Sequence, residues 1–289
     1  MNLNEKTWKI PKQLDNRLHF DYLPEEILEI LSRRGLKTTK EIDKYLYPEI
    51  PPNPYEDFPD LERAINRIIS AKVKEESVII CGDYDADGMT STALLTDVLE
   101  RLEINVNPLI PSRSDDGYGL NINIIKKIDS LGIKLVITVD NGVSAIDSLN
   151  YAHSVGIDVI VTDHHKINTT SKKLYALIHP ETCRDESPYR YLAGVGVAYI
   201  LASELGKRLN NIDCLRIAKD LLCIGTIADM AQLKGVNRYW LKKYMPELIN
   251  TKSLGLKKLI SRCYTKKREM TSEDISFGIA PRINSVGRI

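Results

Sequence analysis

The sequence predicts an α/β protein built on a doubly wound, mostly parallel sheet, with a helical lead-in before it and a helical portion after it. Three observations carry that expectation. Val78-Ile79-Ile80-Cys81, Leu135-Val136-Ile137-Thr138-Val139 and Val159-Ile160-Val161 are short, unbroken apolar runs, which suit strands buried on both faces. Stretches of helical periodicity separate these runs. The right-handed crossover rule then sets helices on both sides of one sheet.

The elements follow in order. Leu23-Pro24-Glu25-Glu26 opens a helix, since Pro suits the first turn and acids there complement the helix dipole. Gly35 ends it, a short helix runs from Thr39 to Leu46, and five prolines at 48, 51, 52, 54 and 59 form a linker or wrapping loop. Leu61 to Val73 reads as an amphipathic helix. The expected strands are Val78–Cys81, Ile104–Ile110, Leu135–Val139, Val159–Val161 and Leu174–Ile178. Helices over Met89–Leu102, Ile122–Leu131 and Ala145–Val155 connect them. After Pro188 helices are expected over Val195–Leu209, Cys214–Ile224, Trp240–Leu248 and Leu254–Cys263. The domains expected are a helical extension at 1–76 packing on the core, a parallel α/β core at 77–188 and a helical completion at 189–289.

Composition narrows the class. In 289 residues there is room for a sizeable core. No apolar run of membrane-spanning length and no secretory signal is present, and the five scattered cysteines show no Cys-x-x-Cys spacing. These features lead us to expect a reduced cytoplasmic protein, with no membrane association and monomeric. Net charge is only +1. Between Lys234 and Arg268, however, eleven Lys/Arg face a single acid, Glu247. That segment is either a solvated helix face or an electrostatic footprint for a phosphate backbone.

Chemistry collects at strand ends. In open parallel sheets ligands bind outside the carboxyl ends of the strands. One strand here runs into Gly82-Asp83-Tyr84-Asp85-Ala86-Asp87-Gly88, another into Asp140-Asn141-Gly142, and a third into Asp163-His164-His165. Carboxylates crowded together repel, and a cation removes the conflict. Carboxylates with imidazole suit Mn, Fe or Zn, whereas Mg prefers oxygen, and an edge this rich can hold two metals. If the first motif is extended, Asp83, Asp85 and Asp87 point the same way, and the N–H groups near Gly88 are free to receive a phosphate. Asp163 is placed to orient an imidazole from behind. Asp229 stands alone in the apolar run Gly225–Met230, as a metal ligand or a helix cap. Gly194 and Gly196 open a helix, either as a phosphate cradle or for close packing.

Taken together, these residues resemble the DHH phosphoesterase superfamily and, within it, the RecJ-like family of single-stranded-DNA-specific exonucleases. The resemblance includes Arg34-Gly35, Tyr45-Leu46, the 82–88 block, Thr138–Gly142, Ala193–Gly196, Ala228-Asp229-Met230 and Pro281–Arg288. It implies a 5′→3′ exonuclease that releases 5′-mononucleotides with two divalent metal ions, Mn2+ or Mg2+, in DNA repair and recombination. By that resemblance Asp85 and Asp229 hold one metal, Asp87 and His164 the other, and Asp140 bridges both. His165 contacts the scissile phosphate, Asp83 supports the motif, and Gly194, Gly196, Arg282, Asn284 and Arg288 contact substrate. Implied partners are single-stranded DNA, single-strand-binding protein and a RecQ-type helicase. Many relatives carry His where this chain has Cys81, which puts one ligand in question. Relatives also continue into a DHH-associated second domain that is absent here, so we expect a truncated form with impaired processive activity. Alternatives are a phosphodiesterase for short oligonucleotides or cyclic dinucleotides, an inorganic pyrophosphatase, and a non-catalytic nucleic-acid-binding scaffold.

Overall fold

Side chains along each central strand alternate between two apolar layers. Val78, Ile80, Leu135, Ile137 and Val139 join one cluster, and Ile79, Cys81, Val136, Val159 and Val161 join another. This is the period-2 pattern of a sheet covered on both faces. It is seen in a computed structural model that describes residue 20 and residues 22–111, 119–263 and 269–286. Two compact units divide between Glu49 and Ile50.

The first unit holds α1 (Glu25–Arg33) and α2 (Thr39–Leu46), which bury Leu28, Leu31 and Ile42. Thr38 accepts from the Glu41 N–H and the Glu41 side chain returns to the Thr38 N–H, a reciprocal cap that fixes the start of α2.

The second unit contains the sheet. Its strands are β1 (Val78–Cys81), β2 (Val106–Leu109), β3 (Leu135–Val139), β4 (Asp158–Thr162) and β5 (Ala176–Ile178). They are ordered β2-β1-β3-β4-β5, and every pair is parallel. The order reverses between β1 and β3, and in doubly wound sheets that reversal opens the ligand crevice. One face is covered by α3 (Leu61–Val73), α4 (Ala86–Arg101) and α7 (Gly194–Arg208), through Leu61, Ile65, Ile68, Leu95, Leu99, Val197 and Leu201. The other is covered by α5 (Ile122–Ser130) and α6 (Ile146–Ser154), through Ile125, Ile128, Leu149 and Ala152. Beyond them α8 (Ala218–Ala228), α9 (Gly235–Tyr244) and α10 (Leu254–Cys263) share a third cluster with Ile275 and Ile279, just before α11 (Ala280–Val286).

Several boundaries differ from the sequence expectation for local reasons. α4 begins at Ala86 rather than Met89, because Asp85 caps it by accepting the Gly88 N–H. The helix expected at 214–224 is a 3-10 turn at Ile212–Leu215 followed by α8. The one expected at 240–248 starts earlier and ends at Tyr244, where Pro246 opens a 3-10 turn over Met245–Asn250. Among the described residues no helix is long and apolar enough to cross a membrane.

Candidate metal centre

The carboxyl ends of β1, β3 and β4 bring the sequence-predicted side chains together, and α8 adds Asp229. Three groups have ligand atoms within 4.8 Å of one another: Asp83, Asp85 and Asp140; Asp87, His164 and Asp229; and Asp140, His164 and His165. Asp140 and His164 each belong to two groups. The His164 Nε2 lies 3.1 Å from Asp140 Oδ1 and 3.7 Å from Asp87 Oδ2, and its Nδ1 lies 3.9 Å from Asp229 Oδ2.

This partition differs from the one the resemblance implies. Asp229 sits with Asp87 and His164, while Asp85 sits with Asp83 and Asp140. Asp85 caps α4 and Asp87 lies in its first helical turn, whereas Asp83 precedes the bend that leads into the helix.

Asp87 is nearly fully buried, and its two oxygens accept from the N–H groups of Gly194 at 2.7 Å and Val195 at 2.9 Å. The carboxylate therefore caps the N-terminus of α7, where the helix dipole favours an anion. Burial, with Asp229 and Asp85 nearby, still pushes its pKa up to about 7, against the pull of His164 and the Val195 N–H. Asp140, also buried, is raised well above the usual carboxylate range by burial and by Asp87, Asp85 and Asp163. Its Oδ1 is buried without a hydrogen bond, and its backbone adopts φ +60°. A buried carboxylate oxygen that accepts no hydrogen bond, with His164 Nε2 3.1 Å away and other acids around it, fits a cation ligand. Asp229, at the C-cap of α8, is raised by burial and by Asp85.

Behind these groups stands Asp163. One oxygen accepts from the Val143 N–H, and the other from the His164 and His165 N–H groups while meeting His165 Nδ1 at 2.8 Å. Burial works against its charge, yet these hydrogen bonds hold its pKa below the usual range, and its carboxylate raises that of His165. The expectation that Asp163 orients an imidazole matches this geometry, with His165 as the oriented ring.

Other expectations meet a different arrangement. Gly194 and Gly196 form no phosphate cradle, because their N–H groups are held by Asp87 and by the Ala193 carbonyl. Gly194 serves close approach: a Cβ there would stand 2.7 Å from Asp140 Cβ. The N–H groups at the start of α4 are also engaged, Gly88 by Asp85 and Ala86 by Asn284 Oδ1 at 2.6 Å. Asn284 thus docks α11 onto the motif helix. The exposed Arg282 side chain bonds the Gly278 carbonyl, and Arg288 lies outside the described residues. Cys81 joins none of the three groups. It packs with Ile79 and Val136, and burial pushes its thiol up to about 12. Sequence reasoning missed Asn141, which accepts from the Leu120 N–H and donates to the Cys81 and Val139 carbonyls, and His179, which meets the His165 carbonyl.

Residues 77–226, which hold the side chains of the three ligand groups except Asp229, match the DHH family, N-terminal domain. The chain belongs to the DHH family. Among curated relatives, the DHH chain is 36% identical to the single-stranded-DNA-specific exonuclease RecJ of Bacillus subtilis, covering 96% of this chain and 34% of that protein. It is 32% identical to RecJ of Escherichia coli, covering 92% of this chain and 48% of that one. It therefore spans a third to a half of the length of these relatives. Among solved structures, RecJ in complex with Mn2+ from Thermus thermophilus superposes with a TM-score of 0.75 at 30% identity, covering 91% of this chain and 37% of that one. An exonuclease RecJ bound to manganese gives 0.73 at 33% identity, covering 82% of this chain and 60% of that one.

Proposed function

We propose that this DHH chain carries the metal-binding part of a phosphodiesterase that removes 5′-mononucleotides from the 5′ end of single-stranded DNA. The observation that carries the reading is two separate ligand groups, Asp83/Asp85/Asp140 and Asp87/His164/Asp229, joined through a third in which Asp140 and His164 meet. Adjacent ligand groups of this kind suit two neighbouring divalent cations. The solved RecJ structures with Mn2+ and Mg2+ support Mn2+ or Mg2+ as the ions. Asp83, Asp85 and Asp140 would hold one, and Asp87, His164 and Asp229 the other. When bound, such cations activate a water and offset charge on the phosphate.

The remaining work belongs to side chains. Asp163 fixes the His165 ring and raises its pKa, and the protonated form of this half-exposed ring would donate to the scissile phosphate as negative charge builds there. A water oxygen bonds to phosphorus and the P–O3′ bond breaks. A 5′-mononucleotide leaves with its 3′ hydroxyl, and the shortened strand keeps a 5′ phosphate. We further propose a place in DNA repair and recombination inside the cell, with single-strand-binding protein and a RecQ-type helicase as partners; the names of the relatives bear only on single-stranded DNA as substrate.

The test is digestion of 5′- and 3′-labelled single-stranded DNA with Mn2+ or Mg2+, with dinucleotides and pyrophosphate alongside. We expect the 5′ label to leave first as a mononucleotide, and Asp85→Ala and His164→Ala to lose turnover. Prior release of the 3′ label refutes the polarity, preference for dinucleotides refutes the substrate, and unchanged turnover in both variants refutes the site.

A further inference from the structure

His179 follows β5 directly and is fully buried. Its Nδ1 accepts from the Glu181 N–H at 3.0 Å, so that nitrogen carries the lone pair. Its Nε2 therefore carries the proton, and it lies 2.8 Å from the His165 carbonyl oxygen. Both ring positions are committed, which fixes one neutral tautomer. The His179 backbone is pinned as well, since its carbonyl accepts from the Thr182 N–H at 3.0 Å and from the Thr182 hydroxyl at 2.7 Å.

The consequence falls on His165. Asp163 holds its N–H at 3.1 Å and its Nδ1 at 2.8 Å, while His179 holds its carbonyl. One partner comes from the end of β4 and the other from the end of β5, so the residue is clamped between adjacent strands. A buried imidazole is costly unless hydrogen-bonded, and His179 directs its one N–H at the loop that bears the reactive ring.

We propose that His179 is a positioning residue for His165, acting through the backbone carbonyl rather than on substrate or metal. It holds the His165 imidazole at the angle from which Nε2 reaches the phosphate. Small errors in such placement are expensive, because catalytic hydrogen bonds depend on sub-ångström alignment. The effect on turnover rests on the function proposed above, whereas the clamp itself does not.

The experiment compares His179→Phe, which keeps the ring volume and loses both polar atoms, with His179→Gln, whose amide nitrogen can reach the Nε2 position. In Mn2+-dependent digestion of 5′-labelled single-stranded DNA, His179→Phe should lower kcat about 10–100-fold with little change in KM. His179→Gln should recover most of it. A second arm needs no turnover. Amide hydrogen exchange at residues 163–167 should quicken about five- to tenfold in His179→Phe, while β1 and β3 stay protected. Turnover and local exchange like those of the wild type in His179→Phe would overturn the proposal, as would His179→Gln being as impaired as His179→Phe. Should the wild-type chain cleave no DNA at all, the functional reading fails and the exchange arm alone decides the clamp.

Discussion

Two helix ends meet at the candidate centre, and each carries a carboxylate. At the N-terminus of α7, Asp87 accepts two backbone N–H groups, where the dipole and hydrogen bonding both favour its charge. At the C-terminus of α8, Asp229 sits beside outgoing carbonyls, where the dipole opposes it. Both have raised pKa values, but Asp87 is held by the fold and Asp229 only burdens it. The first acid links α4 to α7 through these two hydrogen bonds whether or not a cation is present. The second has no such backbone support, and under the proposed function a cation would offset it.

Removing each acid separates the two cases. Asp87→Ala leaves the Gly194 and Val195 N–H groups without acceptors in a buried place, at a cost of about 2–4 kcal/mol. Thermal melting without metal should show a large fall in Tm, together with loss of cleavage. Gly194→Ala attacks the same junction from the helix side. Its new Cβ would stand 2.7 Å from the Asp140 side chain, so urea denaturation should show a loss of about 1–3 kcal/mol and Mn2+ titration should show weakened binding.

The pH dependence extends the comparison to the whole cluster. Asp87, Asp140 and Asp229 have folded pKa values above their unfolded ones. Their contribution is therefore present below the unfolded carboxylate pKa of about 3.9 and is lost as pH rises through the folded values. Since Asp87 reaches about 7, the metal-free Tm should fall between about pH 5 and pH 8. Asp163 acts in the opposite sense, with stability lost only as pH falls through its depressed value in acid. Mn2+ should raise Tm more at pH 8 than at pH 6, because binding displaces protons. An equal rise at both values would speak against these acids as its ligands. The smallest effect is expected for Asp229→Asn, which should stabilise the metal-free protein by about 0.3–1 kcal/mol while sharply reducing cleavage. A destabilised Asp229→Asn would assign this acid to the fold rather than to the metal.

The sheet was readable from local pattern because Val/Ile runs buried on both faces leave a direct signature, and β1 and β3 fall on the predicted residues. Asp85, Asp140 and His164 were readable because strand ends are where such sheets bind ligands. What stayed hidden depends on partners far along the chain. Nothing near Asp87 signals that its acceptors face Gly194, more than a hundred residues away. Asn284 has the look of a substrate contact within its own motif, yet its carboxamide caps α4 from 198 residues away. His179, isolated between Ile178 and Pro180, has no pattern around it, and its contact with the His165 carbonyl comes only from the pairing of β4 with β5.

The left-handed backbone of Asp140, at φ +60°, limits which residues this position can accept. Among side chains, only Gly, Asn and Asp enter that region readily, and others strain by about 1–2 kcal/mol. Gly has no donor atom, and Asn brings no charge to an anionic, cation-seeking centre. Backbone shape and electrostatics thus filter independently, and aspartate is the residue that passes both. Glutamate, the usual conservative exchange for aspartate, would add backbone strain here of the kind this chain bears at Glu75 and Glu103, and its extra methylene would move the carboxylate besides.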